Sequence, residues 1–310
     1  MLNLLINNNP NCMCHLENIV KEEIWELENK PFLIVSGNNI NLKSTSIEIF
    51  QDNNKLFSGY IEIDKNSFSI KIYLKERLQH TNNIKIILDN YEEVFNIKLN
   101  KLYGFVKYKD KTPVRNAVIS CTGSEIVVLS DKNGYFELYL SDKVDSIGIF
   151  DKEYSKETLE VWLYNIDLYD DLKIDTIMDR GEVYNIRVWN QEFSTYIHFI
   201  PMSMTRVNKI AEKTCKKESE LILDKDIWPQ LRKEDVEVFC NDKKLELLAF
   251  GKIKDFLDRI NENNIYRNGY IVCVEKLDEN NHNLIKIRFK DKFTLDEKIT
   301  IDFGEGYYLY

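Results

Sequence analysis

Residues 102–140 constrain this chain more than any other stretch, because apolar alternation and turn residues agree there position by position. Leu102, Val106 and Tyr108 fall on one face of an extended strand and Tyr103 and Phe105 on the other. Asp110 to Pro113 interrupts it, since proline has no donor for a ladder and a fixed φ. Ala117, Ile119 and Cys121 then alternate with Val118 and Ser120 in a second strand, and Thr122-Gly123-Ser124 turns the chain. Val127 to Leu129 leads into Ser130-Asp131-Lys132-Asn133-Gly134, where the Asn-Gly pair predicts a tight hairpin with positive φ at both residues. Phe136, Leu138 and Leu140 face inward beyond it, and Tyr135, Glu137 and Tyr139 outward. The pattern describes a small β-sandwich.

Gly104-x-Val106, Pro113-Val114, Ala117-x-Ile119 and Ser130-Asp131-x-x-Gly134-x-Phe136-x-Leu138 together resemble the carboxypeptidase regulatory-like domain, a transthyretin-like sandwich. The resemblance covers residues 101–179. It implies a fold and a non-catalytic partner of a zinc peptidase, and the peptidase itself has no counterpart: none of His15, His80, His198 and His282 is followed three residues on by Glu.

The flanks carry the same period of two. Between residues 31 and 100, Phe32–Val35, Ile47 and Ile49, Tyr60–Ile63, Phe68 to Leu74, Ile84 to Leu88 and Val94 to Leu99 make six short strands, the spacing of an immunoglobulin-like sandwich. Residues 183–310 repeat the pattern around Tyr184, Tyr196, Val236, Gly269, Ile285 and Ile299, with a charged insertion at 202–232 holding a helix over 207–219. Ile253, Phe256, Leu257 and Ile260 recur at helical spacing, which predicts a second helix over 252–261, and Asn268-Gly269 reads as a turn. Residues 1–30 read as a leader with a short amphipathic helix on Leu16, Ile19, Val20, Ile24 and Leu27. The expected fold class is mainly β: tandem sandwiches, immunoglobulin-like (31–100), carboxypeptidase regulatory-like (101–182) and immunoglobulin-like with a helical insertion (183–310).

A net charge of -9 opposes binding to phosphate backbones, so nucleic acid is not an expected partner. Nothing resembles a signal peptide, since Met1-Leu2-Asn3-Leu4-Leu5-Ile6 lacks a basic lead and runs into Asn7-Asn8-Asn9-Pro10, and no long apolar run predicts membrane insertion. Six scattered cysteines suit a reducing compartment. Synthesis in the cytoplasm is expected, with later incorporation in a virion released by lysis as one destination.

Few residues suggest chemistry. Cys12-x-Cys14-His15 gathers soft ligands at a spacing poor for one tetrahedral site, so no metal is expected there. Asp170, Asp171, Asp175 and Asp179 bring to mind calcium or paired-carboxyl work, but the loop lacks the glycine and ligand alternation of a calcium site and solvated turn acids are the simpler reading. No Gly-x-Ser-x-Gly elbow and no phosphate cradle occurs, and His198 reads as a satisfied strand residue. No catalytic residue and no cofactor is expected. Tyr307, Tyr308 and Tyr310 offer rigid amphipathic surface for a glycan or a protein, or equally a last strand that seals its own sandwich; Trp162 and Tyr164 suit a core or an exposed ledge.

These features together predict a non-enzymatic structural or adhesion protein, of the kind found in bacteriophage tail, baseplate or head appendages, with other subunits of an oligomeric assembly as partners. A glycan- or peptide-binding accessory protein at a bacterial envelope is the alternative, and a hydrolase whose acids converge only in the fold is the third reading.

Overall fold

The computed structural model describes the chain apart from residues 1, 8–11, 15–25, 29–30, 39–43, 65, 90, 123–126, 216–220, 261–262, 279–281 and 296–297. Its first hundred residues supply β1 (Leu2–Asn7), β2 (Cys12–Cys14), β3 (Glu26–Glu28), β4 (Phe32–Asn38), β5 (Ser44–Gln51), β6 (Asn54–Glu62), β7 (Ser67–Tyr73), β8 (Thr81–Leu88) and β9 (Tyr91–Lys98). One sheet runs β1-β4-β7 and faces another ordered β6-β5-β8-β9. Leu33, Val35, Ile47, Ile49, Ile84 and Ile86, all fully buried, fill the space between them. Asp52 and Asn53 close the β5–β6 hairpin with φ of 46° and 72°, the left-handed pair that a two-residue turn requires.

The leader expected at residues 1–30 is not a separate segment. β1 pairs antiparallel with β4 and belongs to the first sandwich, while β2 and β3 extend a sheet of the second. Backbone pairing decides this, because an edge strand in either sandwich satisfies donors that a free leader leaves to water. The expected helix lies mostly outside the described residues; its last residue, Leu27, is in β3.

The second module holds β10 (Asn100–Tyr108), β11 (Val118–Cys121), β12 (Val127–Leu129), β13 (Tyr135–Leu140), β14 (Val144–Phe150), β15 (Val161–Ile166), β16 (Leu172–Lys173) and β17 (Thr176–Met178). The alternation read for residues 102–140 holds: Leu102, Val106, Ala117, Ile119, Cys121, Phe136, Leu138 and Leu140 all enter one core. The hairpin before β13 differs from expectation in detail. Only Gly134 has positive φ (77°), and its N–H donates to Asp131 O at 3.0 Å while Asp131 Oδ1 accepts from Asn133 N and Tyr135 N. The aspartate side chain organises the turn, so Asn133 need not become left-handed. The turn expected at Thr122-Gly123-Ser124 falls largely outside the described residues.

The third module contains β18 (Gly181–Asn190), β19 (Ser194–Ser203), α1 (Met204–Thr214), β20 (Val236–Cys240), β21 (Lys243–Lys244), β22 (Ala249–Ile260), β23 (Asn263–Glu275), β24 (Leu284–Leu295) and β25 (Lys298–Leu309). Sheet β18-β19-β23-β22 packs on β20, β24 and β25 through Ile197, Phe199, Val238, Val272, Ile287 and Phe289. The expected second helix is instead strand β22, paired with β23 along its length. Ile253 and Phe256, three apart, fall on opposite faces of this strand, and a register shift between Phe256 and Asp258 interrupts the alternation beyond them, so the spacing of three and four does not mark one helical face. Asn268-Gly269 is likewise mid-strand rather than a turn.

Helix α1 is anchored by buried charge. The Asp302 carboxylate accepts from Thr205 N at 2.9 Å and from the hydroxyls of Ser203 and Thr205, capping the helix start. The next residue, Arg206, makes a two-pronged pair with Asp291 at 2.7 and 2.6 Å. Ile210, Leu221, Ile227 and Trp228 form a small satellite core beneath. No helix among the described residues is long and apolar enough to cross a membrane.

The second and third modules are joined through the sheet itself. β15 pairs in parallel with β25, so one ten-stranded sheet runs β21-β20-β24-β25-β15-β14-β11-β12-β2-β3 across both.

Candidate functional site

The seam between these two modules takes up the aromatic residues that the sequence offered as ligand contacts. Along it Trp162 lies opposite Gly306, Leu163 opposite Tyr307, and Tyr164 opposite Tyr308. Tyr307 is 1% exposed in the core of the second module, where its hydroxyl donates toward Asp175 O and Glu305 Oε1 at 2.9 and 2.7 Å. Tyr308 and Tyr310 point the other way and pack against the core of the third. Tyr164 stacks on Trp162 with centroids 6.0 Å apart, and its hydroxyl accepts from Asn185 N at 2.8 Å. A terminal strand with a period of two thus gives one row of side chains to each core. These five residues line the junction between the second and third modules.

Close packing at the seam also explains Gly304-Glu305-Gly306. A Cβ on Gly304 would come within 2.7 Å of Glu182 N, and one on Gly306 within 2.7 Å of Val183 O. Glycines let β18 cross β25 in direct backbone contact. Glu182, 8% exposed, sits at this crossing and accepts from Trp162 Nε1 at 2.9 Å. Burial, then the neighbouring Glu160 carboxylate, push its pKa up to about 8, against the lowering effect of the indole N–H.

Three of the four carboxylates at 170–179 accept hydrogen bonds from the backbone. Asp171 accepts from Lys101 N at 2.8 Å, Asp175 from Phe105 N at 3.1 Å, and Asp179 from Phe303 N at 3.1 Å. Asp170 is exposed. Their spacing of four follows the donors left open along β10 and its neighbours, not a cation. No group of three or more metal-ligating side chains occurs among the described residues. His15 lies outside them, as do the side chains of Cys12 and Cys14.

A cluster of outward-facing aromatic rings lies elsewhere, at the β18–β19 hairpin. Gln191 N donates to Ser194 O at 2.7 Å to close a tight turn, and the flanking strands set Trp189 directly opposite Tyr196. The two rings lie nearly parallel, 12° apart with centroids 5.7 Å distant. Phe193 stands at the tip, 80% exposed. Gln191, Glu192 and Ser194 add hydrogen-bonding groups around a shallow depression of about 500 Å³. The hairpin is braced from behind, where Leu277 N donates to Thr195 Oγ1 at 2.8 Å and Asn190 Nδ2 to Leu277 O at 3.1 Å. Trp189 and Tyr196 therefore face outward from a fixed backbone.

The same outer face continues to His198, opposite Arg187 on β18. His198 is 9% exposed and was expected to be satisfied; instead Nε2 has no hydrogen-bond partner and lies against Gly269. Burial lowers its pKa below the usual imidazole value, so the ring is neutral at pH 7. The segment Trp189-Asn190-Gln191-Glu192-Phe193-Ser194-Thr195-Tyr196 carried the signal for this site: aromatics at outward positions of two strands joined by a short polar turn.

No family model matches the chain, and no curated protein matches it in sequence. Among solved structures, a DUF3823 family protein from Parabacteroides merdae is 10% identical, with a TM-score of 0.20 over 62% of this chain and 90% of its own. A protein from Bacteroides uniformis, provisionally described as carbohydrate binding, is 9% identical, with a TM-score of 0.21 over 68% of this chain and 99% of its own. A DUF3823 family protein from Bacteroides ovatus is 11% identical, with a TM-score of 0.19 over 68% and 98%.

Proposed function

We propose that this chain is a non-enzymatic adhesion protein, whose linked β-sandwiches hold a saccharide-binding hairpin in place. One observation carries the reading: Trp189, Tyr196 and Phe193 are displayed on a hairpin whose polar residues face the same depression. Sugar rings have apolar faces and hydroxyl edges, and aromatic rings ringed by amide, carboxylate and hydroxyl groups match both. Asp171, Asp175 and Asp179 accept from backbone donors, which supports a structural role for these three. In the same reading residues 101–179 are a carboxypeptidase regulatory-like domain acting as a rigid spacer, supported by the match of its alternation and turns to that pattern.

Retention of the intact protein on immobilised cell-wall and capsular polysaccharides tests the proposal. Binding is expected for at least one glycan class, and the double variant Trp189→Ala, Phe193→Ala is expected to abolish it without lowering the melting temperature. No retention on any glycan, or retention unchanged in the variant, would refute the assignment.

A second reading, a subunit of a particle such as a bacteriophage tail, baseplate or head appendage, is favoured by the long hairpins of the third module. Phe256, Tyr266, Ile299 and Ile301 are between 41% and 69% exposed there, more apolar surface than two solvated arms require. Stable co-purification with other particle proteins, lost on Phe256→Ser and Ile299→Ser, is the outcome that reading expects.

A further inference from the structure

A cavity of about 380 Å³ opens where the outer face of β24 and β25 meets the end of β10 and β17. It shares no residue with the aromatic hairpin and lies between two modules, a common place for a small-molecule site. Its size is within the roughly 300–1,000 Å³ of such sites. Phe303, half-buried on β25, and Ile177, 38% exposed on β17, give it apolar surface from both modules.

Every acid that lines the cleft already has a cation of its own. Asp235 is paired with Lys292 at 3.2 Å, Glu237 with Lys244 at 2.5 Å, Glu305 with Arg288 at 2.9 Å and Glu234 with Arg232 at 3.8 Å. Among the bases, Lys109 is held by Asp179 at 3.2 Å. Lys290 is left over: exposed on β24, it makes no ion pair among the described residues and lies 5.6 Å from the Phe303 ring centroid. Arg288, two residues earlier, shares its face of the strand. Arg288 Nε donates to Glu305, and its two terminal nitrogens have no hydrogen-bond partner among the described residues. The field of this pair reaches Glu237, whose pKa is held down first by the hydrogen bond to Lys244 and further by Lys290 and Arg288. A cation would therefore find no carboxylate without a partner here, and an uncharged ligand would leave Lys290 unmatched. A carboxylate matches it.

We propose that this cleft binds a small amphipathic carboxylate, an anion with one charge and one apolar body. The carboxylate accepts from Lys290 Nζ and from the outer N–H groups of Arg288, and the body rests on Phe303 and Ile177. Both halves are needed: these hydrogen bonds are charge-assisted, but a solvent-facing lysine by itself contributes little, so the apolar contact decides the affinity.

Calorimetric titration of the intact chain with phenylacetate, its neutral amide phenylacetamide, and acetate tests this. Saturable binding is expected for phenylacetate, with the amide and acetate each weaker by about tenfold or more. Lys290→Gln is expected to weaken phenylacetate binding about tenfold at an unchanged melting temperature, while Lys290→Arg retains it and Ile177→Ser weakens it. The double variant Trp189→Ala, Phe193→Ala is expected to bind phenylacetate as the parent chain does, which separates this cleft from the aromatic hairpin. No saturable binding of phenylacetate, equal binding of the amide or of acetate, an unchanged affinity in Lys290→Gln, or loss of binding in the hairpin variant would overturn the proposal.

Discussion

Replacing Tyr307 by Phe removes one oxygen from the point where two modules share a strand. The phenol is 1% exposed and its proton lies between Asp175 O and Glu305 Oε1, at 2.9 and 2.7 Å. Burial, reinforced by Glu305, raises its pKa well above the ordinary tyrosine value, so it acts as a donor throughout the working pH range. Glu305 keeps Ile177 N at 2.7 Å and Arg288 Nε at 2.9 Å in the variant, so its charge is not abandoned. The loss is one hydrogen bond to a charged acceptor, about 1.5–3 kcal/mol. Over a cooperative unit of this size a 2 kcal/mol loss lowers the melting temperature by about 4–8 °C. Differential scanning calorimetry checks both consequences. The transition of the second and third modules should move as one, because β25 supplies Tyr307 and Leu309 to one core and neighbours the other. A shift under about 1 °C, or a shift in one module while the other melts as before, would refute the shared-strand account.

Phe136 is 1% exposed among the apolar residues of the second module, so Phe136→Ala should cost about 3–5 kcal/mol, read as a fall in the urea midpoint. Arg206→Ala leaves Asp291 buried without its partner and should cost about 3–5 kcal/mol, with protease sensitivity appearing first in the insertion at 204–235. Glu182 has a folded-state pKa of about 8, above its ordinary value of 4.5, so the folded chain holds a proton that the unfolded chain releases. Its contribution is complete below about pH 4.5 and is lost as pH rises toward 8, on the order of a few kcal/mol; Glu182→Gln should flatten the stability profile across that window, as measured by urea midpoints at successive pH values.

Much of the fold is legible in period and punctuation. Alternation at 102–140 placed Leu102, Ile119 and Phe136 in one core because a strand that faces another sheet must put every second side chain inside, whatever its partner is. The same rule located the strands at 31–100 and most of those after 183. It failed at β22, where a bulge after Phe256 breaks the period, and at Asn268-Gly269, where glycine serves the approach of His198 and Ile253 and not a turn. The candidate site was less legible: Tyr307, Tyr308 and Tyr310 look like a recognition motif, while Trp189 and Tyr196 look like ordinary strand residues.

What the amino-acid order determined by itself is therefore local: which segments extend, which side of each is apolar, and that the chain forms sandwiches rather than bundles. Only tertiary structure decided that the last strand is shared by two cores, that β1 belongs to the first sandwich while β2 and β3 join the second, and that a hairpin carries the exposed rings. The physical reason is that alternation specifies a face but not the partner that covers it. Burial of Tyr307 and exposure of Phe193 depend on which strand, distant in the chain, lies alongside.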